Sequence, residues 1–85
     1  MSGREPDITS PPFNGARLAR RRLAAFRTQA ELAHEVGVTL RQLQRWEAGT
    51  SDPQFRFVRA LATALGVEPA WFYGPNDDTP TEAAA

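Results

Sequence analysis

The sequence lacks cysteine and lysine, and it contains a single histidine, His34. Without cysteine neither a disulfide nor a thiolate metal site can form, and a lone histidine has no second ligand of its own type. No apolar run approaches the roughly 20 residues that a membrane-spanning helix needs, and the first residues do not form a charged segment followed by an apolar one, as in a signal peptide. We therefore expect a cytoplasmic protein with no metal, no cofactor and no membrane partner.

The groups of residues on which enzymes depend are also missing. With 85 residues, the chain forms one domain at most, which is too small for most enzyme scaffolds. It shows no nucleophile paired with a base, no pair of carboxylates and no glycine-rich loop that would hold a phosphate. We do not expect an enzyme.

Charge is unevenly distributed, although the whole chain is neutral. From residue 15 to residue 74, nine arginines outnumber five acidic residues, a difference of four positive charges. The other acidic residues lie near the two ends: Glu5, Asp7, Asp77, Asp78 and Glu82. A positive central segment suits a nucleic-acid partner, because neutralisation of phosphates supplies most non-specific affinity for DNA.

Helix start and stop signals divide the central segment into five helices. Their starts are marked by capping residues or by a proline in the first turn: Asn14, Thr28 with Glu31, Thr39 with Gln42, Asp52 with Pro53, and Pro69. No stretch alternates between apolar and polar residues for long enough to indicate a strand. We predict an all-α, five-helix domain over residues 13–74, with a disordered tail at residues 1–12 and a disordered acidic tail at residues 75–85.

The second and third predicted helices are joined by a very short connection. Gly37 can adopt a positive φ there, which a sharp reversal of the chain requires. Small Ala33 lets the two helices approach, and apolar side chains lie on both sides of the crossing: Leu32, Val36, Val38, Leu43 and Trp46. This arrangement predicts a helix-turn-helix.

The third predicted helix, about residues 40–48, has two contrasting faces. At about 100° per residue, Leu43, Trp46 and Glu47 fall on one side. The other side carries arginine, glutamine and alanine without an acidic residue: Arg41, Gln42, Gln44, Arg45 and Ala48. Arginine pairs with guanine and glutamine with adenine in the major groove, so this helix is predicted to bind double-stranded DNA.

The first predicted helix contains a charge inside its apolar arc. Arg22 falls among Leu18, Ala19, Leu23, Ala25 and Phe26, where a guanidinium group needs a partner. Glu47 lies on the inward side of the third helix, so we predict an Arg22–Glu47 ion pair. The alternative is that Arg22 extends to solvent along its own stem.

These motifs together resemble the Xre/Cro, lambda-repressor-like helix-turn-helix family over about residues 13–74. The similarity is carried by residues 28–33, 37–39, 45–47 and 62–67, together with Leu43, Gly49 and Pro53. It implies a five-helix fold and a transcriptional regulator, here a repressor, of bacterial, phage or prophage origin. We expect it to bind an inverted-repeat operator as a homodimer, with base contacts from Arg41, Gln42 and Arg45.

Further roles follow from the same resemblance and from the helix starts. Phosphate contacts are expected from Gln29, Thr28, Thr39, Gln44, Arg21 and Thr50. A dimer interface is expected between the fourth and fifth helices, at Val67, Glu68, Pro69, Trp71 and Phe57, with a half-buried core position as the alternative for Phe57. Gln42 has two competing roles, since its side chain can complete the capping box or reach DNA.

The sequence departs from the family pattern at Phe26, where glycine is frequent, so the turn after the first helix is expected to pack differently. A different function also stays open: an antitoxin, or another interaction module of a toxin–antitoxin pair, that binds a protein partner through its tails and also binds DNA.

Overall fold

The computed structural model describes residues 12–75. Four α-helices and a 3₁₀ helix follow one another: α1 (Gly15–Ala24), α2 (Gln29–Val36), α3 (Leu40–Ala48), α4 (Phe55–Leu65) and the 3₁₀ helix (Pro69–Tyr73). Within these residues there is no strand. Residues 1–11 and 76–85 lie outside the described part, so the two predicted tails stay predictions.

The first three helices begin where the sequence predicts. The Asn14 side chain accepts hydrogen bonds from the backbone amides at the start of α1, at 3.0 and 3.2 Å. Thr28 with Glu31 and Thr39 with Gln42 both form complete capping boxes. Because a cap uses only residues within one turn, local sequence is sufficient to place these starts.

The predicted start of the fourth helix is wrong. Asp52 does not cap it and Pro53 is not its first residue; α4 begins at Phe55, with Gln54 in the cap position and no side-chain hydrogen bond to the first turn. Pro53 is buried and lies outside the helix. Its ring is thus used for packing, which delays the helix by two residues.

The five-helix prediction also needs correction, because the described residues contain four α-helices. The fifth element begins at Pro69, as predicted, but it is a 3₁₀ helix of five residues. Between Pro69 and Gly74 there is room for hardly more than one turn, and short segments of this kind adopt the tighter 3₁₀ hydrogen bonding.

One apolar core unites the four α-helices and the 3₁₀ helix. Its buried members come from every helix and from the residue before the Asn14 cap: Phe13, Leu18, Leu32, Ala33, Leu43, Trp46, Val58, Leu61, Ala62, Leu65 and Phe72. Helix α3 packs against both α1 and α2, and α4 packs against α2 and the 3₁₀ helix. This packing holds α3 by one face only.

The turn between α2 and α3 is as tight as predicted. Gly37 has φ 86°, in the region that glycine enters without a Cβ clash. Its amide donates to the Ala33 carbonyl oxygen at 2.9 Å, and Val36 and Val38 pack partly buried against the core. The predicted hinge and its apolar contacts are confirmed.

The apolar arc predicted for α1 does not extend to Leu23 and into the turn between α1 and α2. Leu18 is fully buried, but Leu23 is 61% exposed and Phe26 is 92% exposed. Helix α1 ends at Ala24, so the helical projection no longer applies at Phe26. Phe26 has φ 60°, a left-handed conformation that costs a non-glycine residue about 1–2 kcal/mol.

We predict that Phe26→Gly raises the free energy of unfolding by about 0.5–1 kcal/mol. The substitution removes the left-handed strain, and part of this gain is offset by the greater entropy of glycine in the unfolded chain. Since the ring is exposed, little burial is lost. Urea denaturation measures the change. Phe26→Ala is the control, because it keeps the Cβ and the strain; an equal gain in both variants would contradict this explanation.

Candidate nucleic-acid interface

Helix α3 buries one face and exposes the other. Leu43 is fully buried, Trp46 is 4% exposed, and the Glu47 side chain is 7% exposed. Four polar side chains of the opposite face are exposed: Arg41, Gln42, Gln44 and Arg45. The predicted inward and outward faces of α3 are therefore confirmed, and the outward face presents two guanidinium groups and two amides.

The ion pair predicted between α1 and α3 is present. Arg22 Nε donates to Glu47 Oε2 at 2.7 Å, and Arg22 Nη2 donates to Glu47 Oε1 at 3.2 Å. Arg22 Nη1 also donates to the Arg27 carbonyl oxygen at 2.8 Å. The Arg22 side chain is 10% exposed, so the alternative in which it extends to solvent is wrong. The bidentate contact ties α3 to α1 at a defined orientation.

Two glutamines extend this contact to the protein surface. Gln29 Nε2 donates to Glu47 Oε1 at 3.0 Å, and Gln44 Nε2 donates to Gln29 Oε1 at 3.3 Å. A chain of hydrogen bonds thus runs from Arg22 through Glu47 and Gln29 to exposed Gln44. It also brings the first residue of α2 beside the outer face of α3. Sequence reasoning missed this chain, because no spacing rule relates side chains on different helices.

A shallow depression of about 440 Å³ lies on the outer face of α3. It is lined by Arg41, Gln44, Arg45, Ala48 and Thr50. The Thr50 hydroxyl donates to the Arg45 carbonyl oxygen at 3.2 Å, which holds Thr50 at the end of the helix. The fold thereby brings together four residues that the sequence assigns separately to base or phosphate contacts.

A neighbouring depression of about 460 Å³ extends the polar surface toward α4. Gln42 and Arg45 line it from α3 and Arg56 lines it from α4, with Asp52 and Phe57 also at its wall. The guanidinium carbon of Arg56 lies 4.7 Å from the centre of the Phe57 ring. Arg56 is a cation beside the candidate interface that the sequence analysis did not assign; its only sequence signal is its charge.

Residues 18–72 match the model of a helix-turn-helix family. The chain belongs to this family. Its helix-turn-helix unit consists of α2, the turn at Gly37, and α3, which we name the recognition helix.

Two relatives carry the names of HTH-type transcriptional regulators. The uncharacterized regulator y4aM of Sinorhizobium fredii is 31% identical over 66 residues, which cover 78% of this chain and 46% of that protein. DicA of Escherichia coli is 32% identical over 68 residues, which cover 79% of this chain and 50% of that protein. The chain thus spans about half the length of these relatives, and neither is named as an enzyme.

A solved structure with the same fold contains DNA. The P22 c2 repressor protein, in complex with a synthetic operator, is 31% identical and has a TM-score of 0.66; the alignment covers 68% of this chain and 88% of that one. The similarity establishes the lambda-repressor-like helical arrangement of the helix-turn-helix chain.

Both helices of the helix-turn-helix unit begin with a threonine cap. The Thr28 and Thr39 hydroxyl oxygens each accept a backbone N–H from the first turn at 3.0 Å. These threonines therefore cap the two helices, and their predicted phosphate contacts stay predictions. The positive ends of the helix dipoles and the remaining first-turn amides are suited to an anion.

Arg21 lies apart from the outer face of the recognition helix. Its Nε donates to the Leu65 carbonyl oxygen at 2.9 Å, so the guanidinium group is held at the end of α4. There it satisfies one of the carbonyl groups that a helix leaves without an internal partner. Its predicted phosphate contact stays a prediction.

Three residues predicted to lie in a dimer interface also pack inside the monomer. Val67 and Trp71 are partly buried against the core, and the Arg17 guanidinium carbon lies 4.1 Å from the Trp71 ring centre. Phe57 is also partly buried, with its ring centre 5.6 Å from that of Trp46. Phe57 therefore has a packing role inside the monomer, and its place in a dimer interface is untested.

Tyr73 is an ionisable residue that lines neither of the two depressions beside the recognition helix. Burial raises the pKa of Tyr73, and the Asp52 carboxylate raises it further, so the Tyr73 hydroxyl stays neutral near pH 7. Among residues 12–75 no cluster of three or more His, Cys, Asp and Glu side chains is arranged to hold a metal ion. In the same part of the chain no helix has the length and apolar character needed to cross a membrane.

Proposed function

We propose that this helix-turn-helix chain is a sequence-specific DNA-binding transcriptional regulator, a repressor, that acts in the cytoplasm. One observation carries the proposal: the recognition helix is buried through Leu43 and Trp46, while its exposed face presents Arg41 and Arg45 without an acidic side chain. Such a face matches the acceptor-rich major groove. The names of the relatives and the operator bound to the P22 c2 repressor support the same conclusion.

We propose that sequence is read chiefly by Arg41, Gln42 and Arg45. Phosphates of the duplex are contacted by Gln29, Thr28, Thr39, Arg21 and Thr50. The contact between Gln29 and Gln44 supports these phosphate contacts, because it puts the start of α2 next to the exposed face of the recognition helix. Phosphate contacts fix the position of the protein, and base contacts select the sequence.

We further propose that two copies bind an inverted repeat with half-sites about 34 Å apart, one turn of B-DNA. The dimer surface comprises Val67, Glu68, Pro69, Trp71 and Phe57. Partial burial of Val67, Trp71 and Phe57 in the monomer leaves apolar surface that a second copy would cover. Sedimentation with and without the operator measures this assembly.

Arg41→Ala and Arg45→Ala are each expected to weaken binding of the selected operator about 5- to 150-fold, equivalent to about 1–3 kcal/mol. Each removes a bidentate donor from an exposed position, so helicity measured by circular dichroism should not change. Fluorescence anisotropy on operators selected from random duplexes measures the affinity.

The matched control for this experiment is Arg59→Ala. Arg59 is exposed on α4 and does not line either depression on the recognition helix, so its loss removes the same charge without removing a proposed base contact. Operator affinities of both recognition-helix variants equal to that of the Arg59 variant would contradict the proposed function.

A further inference from the structure

We infer that internal hydrogen bonds set the two exposed glutamines of the recognition helix to read different bases, Gln42 reading guanine and Gln44 reading adenine in place of the phosphate contact that the sequence predicts for it. The inference rests on the proposed function, since it concerns bases of a duplex held against this helix. The two side chains are chemically identical and both are exposed. They differ in which atoms of the amide group are already used inside the protein.

The amide of Gln42 is oriented by the capping box. Its Oε1 accepts from the Thr39 backbone N–H at 3.2 Å and from the Thr39 hydroxyl at 3.4 Å. Because the backbone N–H is only a donor, the Gln42 atom that faces it must be the oxygen. The carbonyl of Gln42 is therefore occupied, and no described residue accepts from its Nε2. Gln42 presents two N–H donors.

The amide of Gln44 is oriented from the opposite side, by the buried ion pair. The Glu47 carboxylate accepts only, so the Gln29 atom 3.0 Å away from it is Nε2. Gln29 must then turn its Oε1 toward Gln44, which donates one N–H to it at 3.3 Å. Gln44 is left with one N–H donor and an unoccupied carbonyl oxygen.

These two sets of atoms fit different bases in the major groove. Guanine offers two acceptors, N7 and O6, whereas adenine offers the acceptor N7 beside the donor N6–H₂. The two donors of Gln42 fit guanine, and its occupied carbonyl cannot accept from adenine. The donor and acceptor of Gln44 fit adenine, whereas its carbonyl would meet O6 of guanine. The capping box and the ion pair thus act as positioning contacts for base recognition.

Selection of bound sites from random duplexes tests the inference, using the full chain and its variants. Gln42→Glu keeps an oxygen for the Thr39 N–H, so the capping box and the thermal stability should persist, but it has no N–H donor. We expect one guanine position of the selected site to lose its preference by about 5- to 150-fold, with the others unchanged. Gln44→Glu adds the same charge two residues away. It should instead weaken the preference for adenine at a different position of the selected site.

Gln29→Met tests the orientation itself, because it removes the acceptor that holds Gln44 and leaves Gln44 in place. We expect the preference for adenine over guanine at the Gln44 position to fall at least 5-fold, while loss of a phosphate contact would weaken all duplexes equally. An adenine at the position that responds to Gln42→Glu, or no position that responds to either glutamate variant, would overturn the inference. A wild-type chain that binds no duplex at low salt would instead refute the proposed function and the inference with it.

Discussion

Replacement of Arg22 by methionine is expected to lower the free energy of unfolding by about 3–5 kcal/mol. Methionine keeps much of the apolar stem but removes the hydrogen bonds to both Glu47 oxygens and to the Arg27 carbonyl. Among the described residues, the Glu47 carboxylate, whose side chain is 7% exposed, then retains only the Gln29 amide as a hydrogen-bond partner. A buried charge without its counterion is the reason for the large effect. Urea unfolding followed by circular dichroism measures it.

The surface ion pair between Arg27 and Glu35 provides the control for this prediction. Arg27→Met removes a charge of the same kind from a more exposed position, and we expect a loss of at most about 1 kcal/mol. Adding Glu47→Leu to Arg22→Met removes both buried charges and should recover part of the lost stability. Equal losses in Arg22→Met and Arg27→Met would show that the buried pair has no special role.

Gly15→Ala should destabilise the domain by about 3 kcal/mol, because α1 and α3 meet there without space for a side chain. A Cβ on Gly15 would lie 2.0 Å from the Trp46 carbonyl oxygen and 2.8 Å from that of Glu47. Both obstacles are backbone atoms, so no rotamer change relieves the overlap and the helices must separate. The expected loss appears in thermal and in urea unfolding.

Ala16, the residue after Gly15, provides the control for Gly15→Ala. Ala16 is exposed in the same first turn of α1, so Ala16→Val adds bulk toward solvent and should cost at most about 1 kcal/mol. If Gly15→Ala were as stable as Ala16→Val, the close approach of α1 and α3 would not be a requirement of the fold.

The parts of the fold that depend on neighbours within one or two turns could be predicted from the sequence. Asn14, Thr28 and Thr39 cap the helices that follow them, and Gly37 forms the predicted turn. The inward face of α3 could be derived from periodicity alone. The partner of Arg22 could be identified because a guanidinium group inside an apolar arc requires a carboxylate.

Elements that depend on distant packing were predicted incorrectly or not at all. Asp52 and Pro53 carry an ordinary helix-start pattern, yet α4 begins at Phe55 because the proline is buried outside the helix. Phe26 belongs to an apolar arc only if α1 continues, and the chain leaves the helix before it. The Gln29–Gln44 hydrogen bond joins residues whose proximity exists only after α2 and α3 have packed.

Taken by itself, the order of residues determined where α1, α2 and α3 begin and which side of α3 is apolar, since caps and periodicity act through bonds and contacts that are short in sequence. Tertiary structure alone decided which amide atoms Gln44 presents and that the Arg21 guanidinium group is held by the Leu65 carbonyl. Such choices depend on the partner that a neighbouring helix brings within hydrogen-bond distance. No spacing along the chain contains that information.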